Sequence, residues 1–177
     1  MNNLKILLTP EEIQNRVKEL AAQITLDYSS VDNSIRRPVF ICTLKGAVYF
    51  FADLTKNIKR PIMLDFAKLS SYRNGTVSGK MEMQNDITTD IEGRDVIIVE
   101  DIVDTGLTLS RLKAELEKRK PASLTFVSML DKPSRRKTDF VPDMVGKTID
   151  DLFVIGFGLD LDEQYRNLKD IYIFDQN

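Results

Sequence analysis

An α/β fold built on a mostly parallel central sheet is predicted by three features of the sequence. Val96-Ile97-Ile98-Val99 places four β-branched apolar residues in a row, the pattern of a strand buried on both faces. Strand-like runs alternate with helical periodicities through the middle of the chain. Two of those runs lead through short glycine turns into helices, the form of βαβ units.

The elements follow in order. Thr9-Pro10-Glu11-Glu12 has the capping-box form with proline at the first helical position. Ile13, Val17, Leu20, Ala21 and Ile24 then trace one helical face, which packing explains without any chemistry. Val39 to Thr43 reads as a buried strand, followed by the turn Leu44-Lys45-Gly46-Ala47 and an apolar helix through about Leu54. Ile62 to Leu69 alternates as a third strand.

Ser70 to Glu92 is polar, carries Asn74-Gly75 and Gly79, and has little periodicity; a connection this long is usually functional or mobile. Its stretch Gly75 to Lys80 is no nucleotide P-loop, because the glycine spacing is one short and Met81 replaces the required hydroxyl. Beyond the central run, Leu109, Leu112 and Leu116 recur at helical spacing. Ser123 to Leu130 and Ile171 to Phe174 supply further strands.

Composition excludes several classes. With 177 residues the chain fits a single domain, 1–177, with a sizeable core. A net charge of −2 gives no footprint for nucleic acid or an anionic membrane. The absence of histidine leaves acid–base work to Asp, Glu, Lys or Tyr. The single cysteine, Cys42, excludes an internal disulfide and a cysteine-cluster zinc site; within Val39-Phe40-Ile41-Cys42 it reads as buried filler. No leader or apolar run of membrane-spanning length is present, so a cytoplasmic protein is expected.

The chemistry concentrates in Glu100-Asp101-Ile102-Val103-Asp104-Thr105-Gly106-Leu107-Thr108. Carboxylates held close together raise one another's pKa unless a cation or donors offset the repulsion. Hard oxygen ligands of this kind suit Mg²⁺ shared with substrate phosphates. The turn Thr105 to Thr108 offers hydroxyls and a helix start, where free N–H groups favour phosphate. The plainer alternative makes Asp104 a helix cap and the other two acids solvated loop.

This run resembles the phosphoribosyl-pyrophosphate (PRPP) motif of the type I phosphoribosyltransferases, in the form of the hypoxanthine-guanine branch. The resemblance implies the type I phosphoribosyltransferase fold, with a small hood over the carboxyl edge of the sheet. It implies Mg-dependent transfer of the phosphoribosyl group from PRPP to hypoxanthine or guanine, and a homodimer or homotetramer.

It also assigns roles. Glu100 and Asp101 would hold the ribose hydroxyls and, with Asp160, the metal. Asp104 would be the general base, and Thr105, Gly106, Leu107 and Thr108 would hold the 5′-phosphate. Lys45 and Gly46 match the pyrophosphate-contacting loop, in which a cis peptide often precedes the lysine. Ser71 and Tyr72 match the start of a flexible catalytic loop, and Arg166 matches a pyrophosphate-binding arginine. Lys132 corresponds to the lysine on the purine 6-oxo group, Phe153 to the stacking aromatic, and Val154 and Asp160 to base-edge contacts.

On spacing alone, the Lys-Gly turn and the C-terminal residues read more readily as structural. Arg135, Arg136 and Lys137 are expected to form a solvated turn. Two rivals share an α/β scaffold. A PRPP-sensing regulator would need a basic surface or a DNA-binding domain, and a phosphoacceptor receiver would carry its acid pair early in the chain; neither feature is visible.

Overall fold

The computed structural model describes residues 4–28, 37–69, 83–85 and 87–175. Five strands form a parallel sheet: β2 (Val39–Leu44), β3 (Met63–Leu69), β5 (Asp95–Val103), β6 (Ser123–Asp131) and β7 (Met144–Thr148). The short β4 (Met83–Asn85) adds an antiparallel edge, giving the order β4-β3-β2-β5-β6-β7. Three strands, β1 (Leu4–Leu8), β8 (Val154–Ile155) and β9 (Ile171–Phe174), make a separate antiparallel sheet in the order β1-β9-β8.

Strand alternation divides the core between two layers. Phe40, Cys42, Ile97 and Val99 face helices α1 (Pro10–Asp27) and α2 (Val48–Asn57). Val39, Ile41, Val96 and Ile98 face α3 (Leu107–Glu117) through Leu109, Leu112 and Leu116. With both faces covered, a continuous β-branched run suits β5 better than alternation would.

Thr9 caps α1 as expected: its hydroxyl accepts from the Glu12 amide (3.3 Å), and the Thr9 amide donates to the Glu12 carboxylate (2.8 Å). Ile13, Val17, Leu20, Ala21 and Ile24 are its buried face. Cys42 is buried too, and burial pushes its thiol up to about 12, with smaller contributions from Glu100 and Asp101. It is core filler.

Topology decides where a ligand can sit. The chain runs outward from β2 to β3 on one side and from β5 to β6 and β7 on the other. The crevice between the carboxyl ends of β2 and β5 is therefore the switch point of the sheet, where α/β proteins bind ligands. The small sheet overhangs this edge, since Leu7 of β1 lines a cleft with Pro133, Ser134 and Lys147.

One strand boundary differs from expectation. Pairing with β6 continues to Val103↔Asp131, so Glu100 and Asp101 lie within β5 rather than beyond it. A strand residue has less freedom than a loop residue, and both carboxylates are correspondingly fixed. β1, β4 and β7 had no clear sequence signal; they are short, and they lie at sheet edges or in the hood.

Candidate active site at the sheet switch point

The carboxyl ends of β2 and β5 enclose a cleft of about 230 Å³, lined among others by Thr43, Glu100, Asp104, Thr105, Gly106 and Thr108. Glu100 reaches this cleft while its carboxyl stays deeply set. Burial, followed by the adjacent Asp101 carboxyl, pushes Glu100 well above the usual carboxylate range; the Thr43 hydroxyl and the Asp101 amide offset this only in part. Like charges forced together at a low-dielectric strand end create this effect.

The turn after β5 begins the phosphate-sized half of the cleft. Gly106, not Asp104, occupies the N-cap of α3, with φ 77° and no side-chain cap on the helix. Left-handed backbone is one reason for glycine. A second is space, because a Cβ there would stand 2.6 Å from the Thr138 hydroxyl. The helix start thus offers its first-turn amides without a capping carboxylate, which leaves the positive end of its dipole for an anion. Asp104 keeps its side chain for other work.

Arg135, Arg136 and Lys137 correct an expectation, for they are not simply a solvated turn. Arg136 is largely buried: it pairs with Asp131 at the end of β6 and donates to the Asp104 carbonyl (2.6 Å). Arg135 meets the Asp104 carboxylate (3.0 Å) and Asp151 (3.3 Å) while remaining half exposed. The Lys137 amide donates to the Thr105 carbonyl (2.9 Å). The segment after β6 is a brace for the turn after β5. Nothing local in a basic tripeptide announces this, because its acidic partners lie on other elements.

Lys45 and Gly46 follow a cis Leu44–Lys45 peptide, the isomer that the resemblance implied. Gly46 abuts Asp101 so closely that a Cβ would overlap its carboxylate. Gly158 in turn abuts the Gly46 carbonyl, and it exchanges hydrogen bonds with Arg166: its amide donates to the Arg166 carbonyl (2.9 Å), and Arg166 Nη1 donates back to the Gly158 carbonyl (2.8 Å). Asp101, Gly46, Gly158 and Arg166 thus form one contiguous wall. The sequence reading gave Gly158 no role; its left-handed φ of 101° and its close approach to Gly46 are features of the fold.

Arg166 also contacts Asp160 (2.9 Å) and Glu163 (3.3 Å), while its buried Nε has no hydrogen-bond partner. Asp160 receives the Glu163 amide on its other oxygen (2.9 Å). It does not join Glu100 and Asp101: among the described residues, no three acids cluster so as to hold a metal by themselves. The oxygen donors of Glu100 and Asp101 still fit a hard divalent cation, provided phosphate and water oxygens complete its shell.

A second cleft, about 390 Å³, opens beside the end of β6 between β1, Pro133-Ser134 and the end of β7. Lys132 starts this region, only 8% exposed, its amide bound to the Val103 carbonyl (2.9 Å). The Ile149 amide bonds the Asp131 carbonyl (2.9 Å), which carries the chain from β7 back past the same strand end. Val154 is buried in β8. Phe153 stands edge-on to Phe174 (ring centroids 6.1 Å, 67°) and remains 38% exposed, leaving ring surface for a planar ligand. Ser71 and Tyr72 lie outside the described residues.

The arrangement is shared with known proteins. The phosphoribosyl transferase domain family matches residues 4–164. A hypoxanthine-guanine phosphoribosyltransferase of Bacillus subtilis is 48% identical over 165 residues, covering 93% of this chain and 89% of its own. The crystal structure of a hypoxanthine-guanine phosphoribosyltransferase from Bacillus anthracis, with a HEPES molecule in its active site, superposes with a TM-score of 0.89 at 43% identity, covering 97% of this chain and 98% of that one. A hypoxanthine phosphoribosyltransferase from Trypanosoma cruzi, in a ternary substrates complex, gives 0.93 at 40% identity over 99% and 98% of the two chains. A family match over most of the chain and relatives of this identity leave one assignment: the chain belongs to the phosphoribosyltransferases, in their hypoxanthine-guanine branch.

Proposed function

We propose that this protein joins hypoxanthine or guanine to the phosphoribosyl group of PRPP, a purine-salvage reaction giving the nucleoside 5′-monophosphate and pyrophosphate. The observation that carries the reading is the cleft at the switch point. It combines a crowded carboxylate pair, an uncapped helix start and, across Gly46, a cationic wall of Lys45 and Arg166.

The 5′-phosphate is held by amides and hydroxyls of Thr105 to Thr108 at the head of α3. Glu100 and Asp101 hold the ribose hydroxyls. They would also hold Mg²⁺, whose charge would relieve their repulsion and stabilise the leaving phosphates. We keep Asp160 with Arg166, on the pyrophosphate and purine side.

The bond from ribose C1′ to the pyrophosphate oxygen breaks as purine N9 bonds to C1′. Positive charge develops on the ribose ring, and the nearby carboxylates stabilise it. Asp104 accepts the purine proton at N7, and Arg166 and Lys45 take up the leaving charge. Lys132 donates to the 6-oxo group, and Phe153 stacks on the ring with Val154 at its edge. Ser71 and Tyr72 would begin the loop that closes over these groups. We further assign a single domain, a cytoplasmic location and a homodimer or homotetramer; among the described residues, no helix is long and apolar enough to cross a membrane.

Incubation with PRPP, Mg²⁺ and each purine separately tests this. Hypoxanthine and guanine should each yield nucleotide and equimolar pyrophosphate. Absence of product with both would overturn the assignment.

A further inference from the structure

We propose that Glu163 is a positioning residue that stands in for the leaving pyrophosphate, bridging Lys45 and Arg166 when no anion is bound and giving way when one binds. The inference rests on the pyrophosphate role of those two cations.

A single oxygen carries it. Glu163 Oε2 lies 2.9 Å from Lys45 Nζ and 3.3 Å from Arg166 Nη2. The two cations belong to different parts of the fold, one following β2 and the other in the segment between β8 and β9. A phosphate oxygen between them would use the same two donors. The carboxylate is therefore a charge-matched occupant of an anion position, and hydrogen bonds from Lys45 and Arg166 lower its pKa below the usual carboxylate value.

The backbone is shaped to present it. Asp162, Glu163 and Tyr165 all have left-handed φ (51°, 63° and 70°), which is strained for residues other than glycine. The Asp160 carboxylate fixes the strained turn by accepting the Glu163 amide. Such strain collects at ligand clamps and switches, whereas a surface acid with no task would relax. Glu163 is nevertheless easy to displace: its side chain is 65% exposed and that of Lys45 is 55% exposed, so neither pair is locked by burial. Arg166, 21% exposed with its Nε unpaired, keeps a donor in reserve for a larger anion.

A competing carboxylate predicts an unusual sign. Glu163→Gln should bind pyrophosphate more tightly, because the anion no longer displaces a bound charge. A scaffold role predicts weaker binding, since the two cations would lose their alignment. The measurement is calorimetric titration of inorganic pyrophosphate, with Mg²⁺ present, into the wild type and Glu163→Gln. Initial-rate kinetics should accompany it. Affinity should tighten by roughly 3- to 10-fold, the scale of one partly exposed ion pair removed from the competing side. KM for PRPP should fall in the same direction.

Unchanged or weaker pyrophosphate binding by the variant overturns the proposal, as does failure of both proteins to bind it. The two readings separate cleanly. Nucleotide synthesis without tightening removes Glu163 alone; tightening without nucleotide synthesis removes the activity and leaves Glu163 in place.

Discussion

The carboxyl ends of β5 and β6 are neighbours in one sheet, yet they treat charge in opposite ways. At the end of β5, Glu100 and Asp101 are adjacent carboxylates, and burial together with the Asp101 carboxyl drives Glu100 toward its neutral form. At the end of β6, Asp131 is matched by Arg136, and both side chains are nearly buried (9% and 13% exposed). One strand end is electrostatically frustrated; the other is settled. The frustrated one has the chemistry of a ligand site, and the settled one holds it in shape, since Arg136 also fixes the Asp104 carbonyl. A perturbed acid points to function when it lines a cleft, and Glu100 does.

The largest expected effect breaks the β5 side. Asp104→Asn removes the proposed base while keeping shape, and general-base catalysis contributes roughly 10²–10⁴-fold. Turnover should fall by that factor in steady-state assays, with PRPP affinity nearly unchanged. Equal turnover would take Asp104 out of proton transfer.

Next comes the β6 side. Arg136→Met leaves Asp131 buried without its partner, and breaking such a pair costs about 3–5 kcal/mol. The residual exposure of both groups argues for the lower end. A urea midpoint shifted accordingly would support the bracing role. A midpoint within error of wild type would mean that Arg136 belongs to the solvated surface after all.

Lys132 joins the two ends, because its amide bonds Val103 of β5 while it follows Asp131 of β6. Its ammonium has donors only, so in the proposed purine contact it would meet a 6-oxo group and oppose a 6-amino group. An unpaired buried donor costs about 1–3 kcal/mol or more, so adenine should be at least ~10-fold poorer than hypoxanthine. Lys132→Met should narrow that gap in competition assays. Comparable use of adenine by the wild type would sink the role.

The smallest effect sharpens the comparison at Glu100. Its folded-state pKa lies above the ordinary value, so above that ordinary value the folded protein binds more protons than the unfolded chain. Stability therefore falls as pH rises through the window between the two. In Mg²⁺-free buffer at neutral pH, Glu100→Gln should raise Tm by a few degrees, at about 2–4 °C per kcal/mol for this chain length. The gain should shrink toward pH 4 and reverse in nothing else; a lower Tm at neutral pH would contradict the frustration.

Local patterns carried most of what could be read in advance. The β-branched run, the capping box and the leucine spacing each depend on neighbours in sequence, and each appears as expected. The motif around Glu100 to Thr108 was visible because its charges are contiguous. Arg136 was misread because its partners, Asp131 and the Asp104 carbonyl, depend on how two strands lie side by side. Asp65 went unnoticed for the same reason. Burial would raise its pKa, yet amides of Phe66, Thr88 and Thr89 hold it below the ordinary value, which ties a distant segment onto β3. Asp160 was placed near the metal only through the resemblance, and its contact with Arg166, which no local pattern announces, comes from the fold. Long-range pairing has no periodicity to betray it.

The contact between Gly46 and Gly158 has a consequence for how such a sequence can drift. Main chain meets main chain there, with Asp101 packed behind, so no side chain sets the spacing of the two turns. A replacement at either glycine would need simultaneous accommodation by the other turn and by the carboxylate. Change is far easier at Phe153, Leu107 and Arg135, which stand partly exposed around the rim. New specificities would therefore arise by exchanging rim residues around a fixed gauge. A library varied at those three positions should yield many folded proteins with altered base preference, and one varied at the two glycines should yield almost none.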